Sequence, residues 1–212
     1  MESLVQEIEA LKKEDIGRKI SARINEFKRI NRNSSEDLFK ELCYCILVAR
    51  FSAKKCYNMC NEIGDKFLTN SPKKIKNELD KFYYPLASQR AKYISKAFRK
   101  KDQLKKAIKS LEENELRDWI KNNIKGVGYK VASHFLRNIG FDDYAIIDTH
   151  IIDLLIEQKL ISEPKNPYGK TSYQKIENKL KAIAEKVNLS LGELDLYLWY
   201  LARYQEIQTI LK

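Results

Sequence analysis

Apolar residues recur at helical spacing along most of the chain, and no stretch alternates in the two-residue rhythm of a half-buried strand. The expected fold is therefore all-α. Near the start, Leu4, Ile8 and Leu11 share one helical face, and Ile20, Ile24 and Phe27 share another, with Gly17 placed to separate two helices. Ser34-Ser35-Glu36-Asp37 has the form of a helix start with acids in the first turn. The run from Leu38 to Arg50 is apolar on nearly every side and predicts the buried centre of a bundle. Ser71-Pro72 is another start, since proline fits the first helical position. Ser110-Leu111-Glu112-Glu113 predicts the cap of a helix whose stripe is Leu116, Trp119, Ile120 and Ile124. A further stripe, Val127, Val131, Phe135 and Ile139, runs to Gly140, a natural stop. Residues 163–170, with two prolines and a glycine, read as a connector. Thr171 with Gln174, and Ser190 with Glu193, then predict the starts of two more helices.

Between two of these stripes lies Lys125-Gly126-Val127-Gly128-Tyr129-Lys130. Glycine tolerates left-handed backbone angles and carries no side chain, so the chain can reverse tightly here. A glycine turn that opens a helix also presents unpaired N–H groups and the positive end of the helix dipole, which together suit an anion such as a phosphate. An ordinary αα-hairpin in a core accounts for the glycines equally well. Two further residues favour chemistry. Lys130 falls in the first turn of the second helix, where a cation opposes the dipole. That position and its apolar neighbours favour the neutral amine a nucleophile requires. Asp148 stands eighteen residues on, in Ile146-Ile147-Asp148-Thr149-His150, ahead of a helix marked by Ile151, Ile152, Leu154 and Leu155. Aspartate is a preferred N-cap, which by itself explains the residue. A capping aspartate can still offer its second oxygen to a cleft.

Gly126-Val127-Gly128-Tyr129-Lys130 followed by Ile147-Asp148-Thr149-His150 resembles the helix–hairpin–helix signature of the DNA glycosylase superfamily that includes endonuclease III. Lys125 occupies the place of that family's usual proline. The C-terminal segment Leu194-Asp195-Leu196-Tyr197-Leu198-Trp199-Tyr200-Leu201, ending at Lys212, resembles the archaeal-type 8-oxoguanine DNA glycosylases. The resemblance implies an enzyme that flips a damaged base out of double-stranded DNA. Lys130 attacks C1′, Asp148 stabilises the developing oxocarbenium charge and helps deprotonate the lysine, and β-elimination then nicks the abasic site. It further implies phosphate contacts from Gly126 and Gly128, with Lys125 and Lys121 adding charge. Base recognition falls to His134, Trp199 and the terminal carboxylate of Lys212. Two segments resemble ones that enter the duplex in this family, the turn Arg50-Phe51-Ser52 and the stretch Gln89-Arg90-Ala91-Lys92-Tyr93-Ile94. Just ahead of the second, Phe82, Tyr83 and Tyr84 mix with Lys81, Arg90 and Lys92, a pattern that suits a wedge into stacked bases beside phosphate-binding cations, although core packing accounts for such an aromatic run as well. The expected architecture is two helical subdomains, 33–134 and 1–32 plus 135–212, with the hairpin at the cleft. Excision of another damaged base is an alternative, and so is a non-catalytic helix–hairpin–helix DNA-binding module.

The charge balance agrees with a polyanionic partner: 40 Lys+Arg against 29 Asp+Glu leaves +11. No apolar run approaches the ~20 residues of a membrane span, and Met1-Glu2-Ser3 does not open a signal peptide. The expectation is an intracellular, nucleoid-associated monomer with no membrane partner. Cys43, Cys45, Cys56 and Cys60 read as small buried hydrophobes of a reducing compartment rather than metal ligands. No cysteine follows Cys60, where the resemblance would place an iron–sulfur loop, so no such cofactor is expected. A monovalent cation on the carbonyls of Asn122, Ile124 and Val127 is the one ion the resemblance allows.

Overall fold

The computed structural model describes all residues except Asn31, Asn33, Arg50, Leu211 and Lys212, and leaves aside the side chains of Asn114 and 204–210. The described residues contain no strand. Twelve helices follow one another among them: α1 (Glu2–Lys13), α2 (Asp15–Lys28), α3 (Ser35–Val48), α4 (Ala53–Ile63), α5 (Pro72–Asp80), α6 (Ala87–Phe98), α7 (Lys101–Ser110), α8 (Glu113–Asn123), α9 (Tyr129–Asn138), α10 (Thr149–Glu157), α11 (Lys170–Lys186) and α12 (Leu191–Ile210). Among the described residues no helix is long and apolar enough to cross a membrane.

Two compact units divide the chain, Ile30–Phe135 and Met1–Arg29 with Leu136–Lys212. In Ile30–Phe135, α3 is the buried centre, with Leu38, Phe39, Leu42, Cys43, Cys45, Ile46 and Leu47 all enclosed. In the other unit α1 and α2 pack on α12, which also meets α10 and α11. A buried ion pair joins Arg137 to Asp195 at 2.6 Å, and the guanidinium lies 4.8 Å over the Phe27 ring. Removing one member would leave the other charged and enclosed, a cost of about 3–5 kcal/mol.

Local side-chain caps set several helix starts. Ser34 Oγ accepts the Asp37 N–H at 3.1 Å and Ser71 Oγ that of Lys74 at 3.4 Å. Ser190 and Glu193 form a reciprocal box at 3.1 and 3.0 Å, each cap contributing roughly 1 kcal/mol. Three starts differ from expectation. The break between α1 and α2 falls at Glu14, and Gly17 is a buried residue inside α2. A Cβ there would lie 2.5 Å from the Lys12 carbonyl oxygen, so the glycine serves close backbone approach. Ser110 ends α7 with its hydroxyl on the Lys106 carbonyl, and α8 is preceded by Glu112. Thr171 lies inside the first turn of α11, whose cap position is Gly169.

The two units differ in charge. Ile30–Phe135 holds 23 Lys+Arg against 12 Asp+Glu, and the remainder of the chain holds 17 of each. The whole excess of +11 therefore lies in the unit that carries α8 and the start of α9.

Candidate nucleic-acid interface and active site

The hairpin is built by α8, a five-residue turn and α9. Ile124 leaves the helix, and the Val127 N–H closes the turn on the Ile124 carbonyl at 3.2 Å. Gly126 has φ +85°, and its missing side chain admits the Tyr93 ring of α6, which a Cβ would meet at 2.2 Å. Gly128 faces open space on the side where a Cβ would point, leaving room for a large anion to reach the backbone. The α9 ladder begins with Ala132 N–H on the Gly128 carbonyl at 2.9 Å. Amides ahead of Ala132 therefore form the positive end of the helix. Tyr129 ties the two helices together: its hydroxyl donates to Asp118 at 2.9 Å, and Lys121 and Arg117 lie 5.1 and 5.6 Å over its ring. Neither Tyr93 nor Tyr129 was marked by sequence pattern, because nothing local shows which aromatic will back a distant glycine. Lys125 and Lys121 are exposed beside the turn.

Lys130 is half-buried on the first turn of α9, in the part of that helix belonging to Ile30–Phe135. His134 projects from the same face one turn later; it is 9% exposed, and its ring meets Tyr44 edge-on at 6.0 Å.

Asp148 belongs to the other unit and caps α10: its Oδ1 accepts the Ile151 N–H at 3.1 Å. The cap uses Oδ1 only. Residues 144–147 lead to it through the core, and Tyr173 of α11 holds that segment on both sides. Its hydroxyl donates to the Ala145 carbonyl at 2.8 Å and accepts the Ile147 N–H at 3.1 Å. Glu177 accepts the Ala145 N–H at 3.0 Å. The aspartate thus stands at the end of a pinned strut, and sequence reading missed both residues that pin it. In the same unit Trp199 is 40% exposed on α12, with the Arg203 guanidinium 5.4 Å from its ring, so it is not simple core packing.

The two candidate duplex-entering turns come together inside Ile30–Phe135. Phe51 packs edge-on against Tyr84 at 5.1 Å, and the Tyr84 hydroxyl donates to the Leu47 carbonyl at 2.7 Å. Tyr84 is 4% exposed, and burial pushes its hydroxyl up to about 12. It is a core residue, which corrects its assignment as a DNA-facing one. Arg90 is enclosed beside it, 5.9 Å from the Tyr93 ring. Phe82 and Phe51 are half-buried, while Ser52 and Gln89 are exposed. Tyr83 stands out at 93% exposure. Its φ of +52° follows from the helix stop it occupies, with Tyr83 N–H on Asp80 and Tyr84 N–H on Leu79 at 3.0 and 3.2 Å. Glycine is the usual residue at that position. Arg50 and Lys212 lie outside the described residues.

Cys56 and Cys60 approach to 4.0 Å between sulfurs, and no group of three candidate metal ligands occurs among the described residues. Hydrogen bonding to Cys60 and burial raise the Cys56 thiol, and burial raises that of Cys43. Both stay protonated, a poor state for ligation.

Comparisons with known proteins converge. A family model described as 8-oxoguanine DNA glycosylase matches residues 20–189. The chain is 45% identical over 199 residues to an 8-oxoguanine DNA glycosylase/AP lyase of Methanocaldococcus jannaschii, covering 93% of this chain and 96% of the relative. It is 39% identical over 202 residues to the enzyme of that name from Korarchaeum cryptofilum, covering 95% and 96%. The crystal structure of the M. jannaschii glycosylase/lyase in complex with a 15mer DNA containing 8-oxoguanine superposes with a TM-score of 0.89 at 44% identity. That match covers 94% of this chain and 96% of the other.

Proposed function

Because the chain belongs to the 8-oxoguanine DNA glycosylase family, we propose that it excises 8-oxoguanine from duplex DNA and then nicks the strand at the abasic site. The observation that carries the catalytic reading is Lys130, a half-buried lysine in the first turn of α9, directly beyond the glycine turn. A cation there opposes the helix dipole, so helix stability does not call for it.

The base cannot be reached inside the stack, and the nucleotide must first flip out. The Lys130 amine then bonds to C1′ as the glycosidic bond breaks and the base leaves with its electron pair. Asp148 offsets the positive charge growing on the sugar and takes the proton the lysine sheds. Loss of the ring oxygen from C1′ gives a Schiff base. This acidifies the C2′ proton, and its removal expels the 3′-phosphate by β-elimination. A monovalent cation on the carbonyls of Asn122, Ile124 and Val127 is compatible with the turn, since the Ile124 oxygen holds one N–H and retains a second lone pair. No step needs it. An enzyme with this substrate works where the genome is, inside the cell. Borohydride with an 8-oxoguanine duplex should trap a covalent protein–DNA adduct, and failure of the wild-type protein to trap would overturn the assignment.

Base reading is assigned to the flat surfaces of Trp199 and His134, with Lys212 as the third candidate. Deleting Lys212 should depress 8-oxoguanine excision far more than cleavage at preformed abasic sites; equal loss of both would assign the residue to folding. Of the duplex-entering candidates, Tyr83 offers an aromatic ring to a gap in the stack. Tyr83→Ala should slow excision from duplex by about tenfold, the loss of one ~1–3 kcal/mol stack, and leave single-stranded excision unchanged. Equal slowing on both substrates would remove Tyr83 from the gap.

A further inference from the structure

Several surface lysines of this protein sit beside acids. Lys12 pairs with Glu9, Lys19 with Asp15, Lys40 with Asp65, Lys76 with Asp80, Lys81 with Glu78 and Lys101 with Asp102. Helix α6 is different. Its twelve residues include no Asp or Glu. Lys92 and Lys96, with Arg99 at the helix end, fall at i, i+4 and i+7 and are all exposed. None of the three has an ion-pair partner among the described residues. They make one continuous cationic ridge, opposite the face that buries Ala87, Ala91 and Ile94.

We propose that this ridge is a second DNA contact, which holds the sugar-phosphate backbone outside the lesion. A solvated face is the ordinary fate of a charge run, but two observations point to a polyanion instead. First, α6 is tied to the hairpin turn: Tyr93, one step around the helix from Lys92, fills the space left by Gly126. A strand gripped at Gly128 therefore lies beside the helix that carries the ridge. Second, the ridge belongs to the unit that holds the entire net charge, so no acidic excess nearby competes for it. From Lys92 to Arg99 the helix rises about 10 Å, roughly three nucleotides of one strand at ~3.4 Å each.

The inference rests on DNA being the partner, as read above, but not on the chemistry at Lys130. Its test is the salt dependence of equilibrium binding to undamaged and 8-oxoguanine duplexes. Releasing about three counterions contributes a slope of roughly 2.7 in log K against log salt. The Lys92→Gln/Lys96→Gln/Arg99→Gln variant should lose about that much slope on both duplexes. Glutamine suits a helix about as well as lysine and arginine do, so an unchanged circular dichroism spectrum and melting temperature are expected. Single-turnover excision at saturating enzyme should be unaffected. A control, Lys175→Gln/Lys179→Gln/Lys186→Gln, removes the same charge from α11 of the neutral unit and should leave the slope near wild type. The proposal is overturned if the α6 variant keeps the wild-type slope, or if the α11 control loses as much. It is equally overturned if the α6 variant loses binding only to anionic lipid vesicles. If the α6 variant loses the slope while the wild-type protein traps no adduct, the ridge stands and the glycosylase reading falls instead.

Discussion

Replacing Lys130 by glutamine is expected to abolish borohydride trapping and to slow base excision by about 10³-fold or more, as removal of a covalent nucleophile does elsewhere. Binding should change little. Glutamine keeps a long polar side chain on a position that is only half-buried, and the proposed phosphate contacts, from the turn backbone and neighbouring cations, do not involve it. Measuring affinity and single-turnover rate on one duplex separates the two. Undiminished trapping in this variant would mean that another amine forms the Schiff base.

Asp148→Asn is expected to lower excision by about 10²–10⁴-fold, the range for a positioned proton acceptor, with no loss of stability. The reason lies in the cap. Asparagine and aspartate are nearly equal at the N-cap, so the bond to the Ile151 N–H survives with an amide oxygen. Asp148→Ala would remove both functions and cost about 1 kcal/mol of helix stability as well. Melting temperature and excision rate of the pair therefore divide the residue's two roles. A non-catalytic DNA-binding module has no use for the charge at this position. Full activity in Asp148→Asn, with an intact melting curve, would leave the aspartate as a cap and nothing more.

What the sequence disclosed follows the range of the forces involved. The starts at Ser34, Ser71, Asp148 and Ser190 are set by bonds spanning three residues and were legible as such. Gly17 misled because its use is long-range: it admits the end of α1, and a breaker and a contact point look alike in a string. The stops at Tyr83 and Lys159 adopt left-handed backbone without glycine, so no residue type announced them. Lys130 and Asp148 were marked as candidates by their spacing. Tyr93 behind Gly126, and Tyr173 behind Asp148, were not, since each supports its partner from another helix. The charge partition was hidden for a related reason. Lysines are spread along the whole chain, and only the division into units reveals that one half is neutral.

That division has a consequence for how the protein comes to be. One unit is contiguous, Ile30–Phe135, and the other is stitched from both ends of the chain. Helices α1 and α2 bury Leu4, Ile8, Ile20, Ile24 and Phe27 in a unit completed by α12, more than 160 residues downstream of Phe27. At about 5–20 residues per second, those apolar stripes emerge from the ribosome on the order of ten seconds before their partner does. The basic unit can collapse meanwhile on its own local contacts. The first helices made are thus among the last to dock, and through that interval they are the natural ligands of a chaperone.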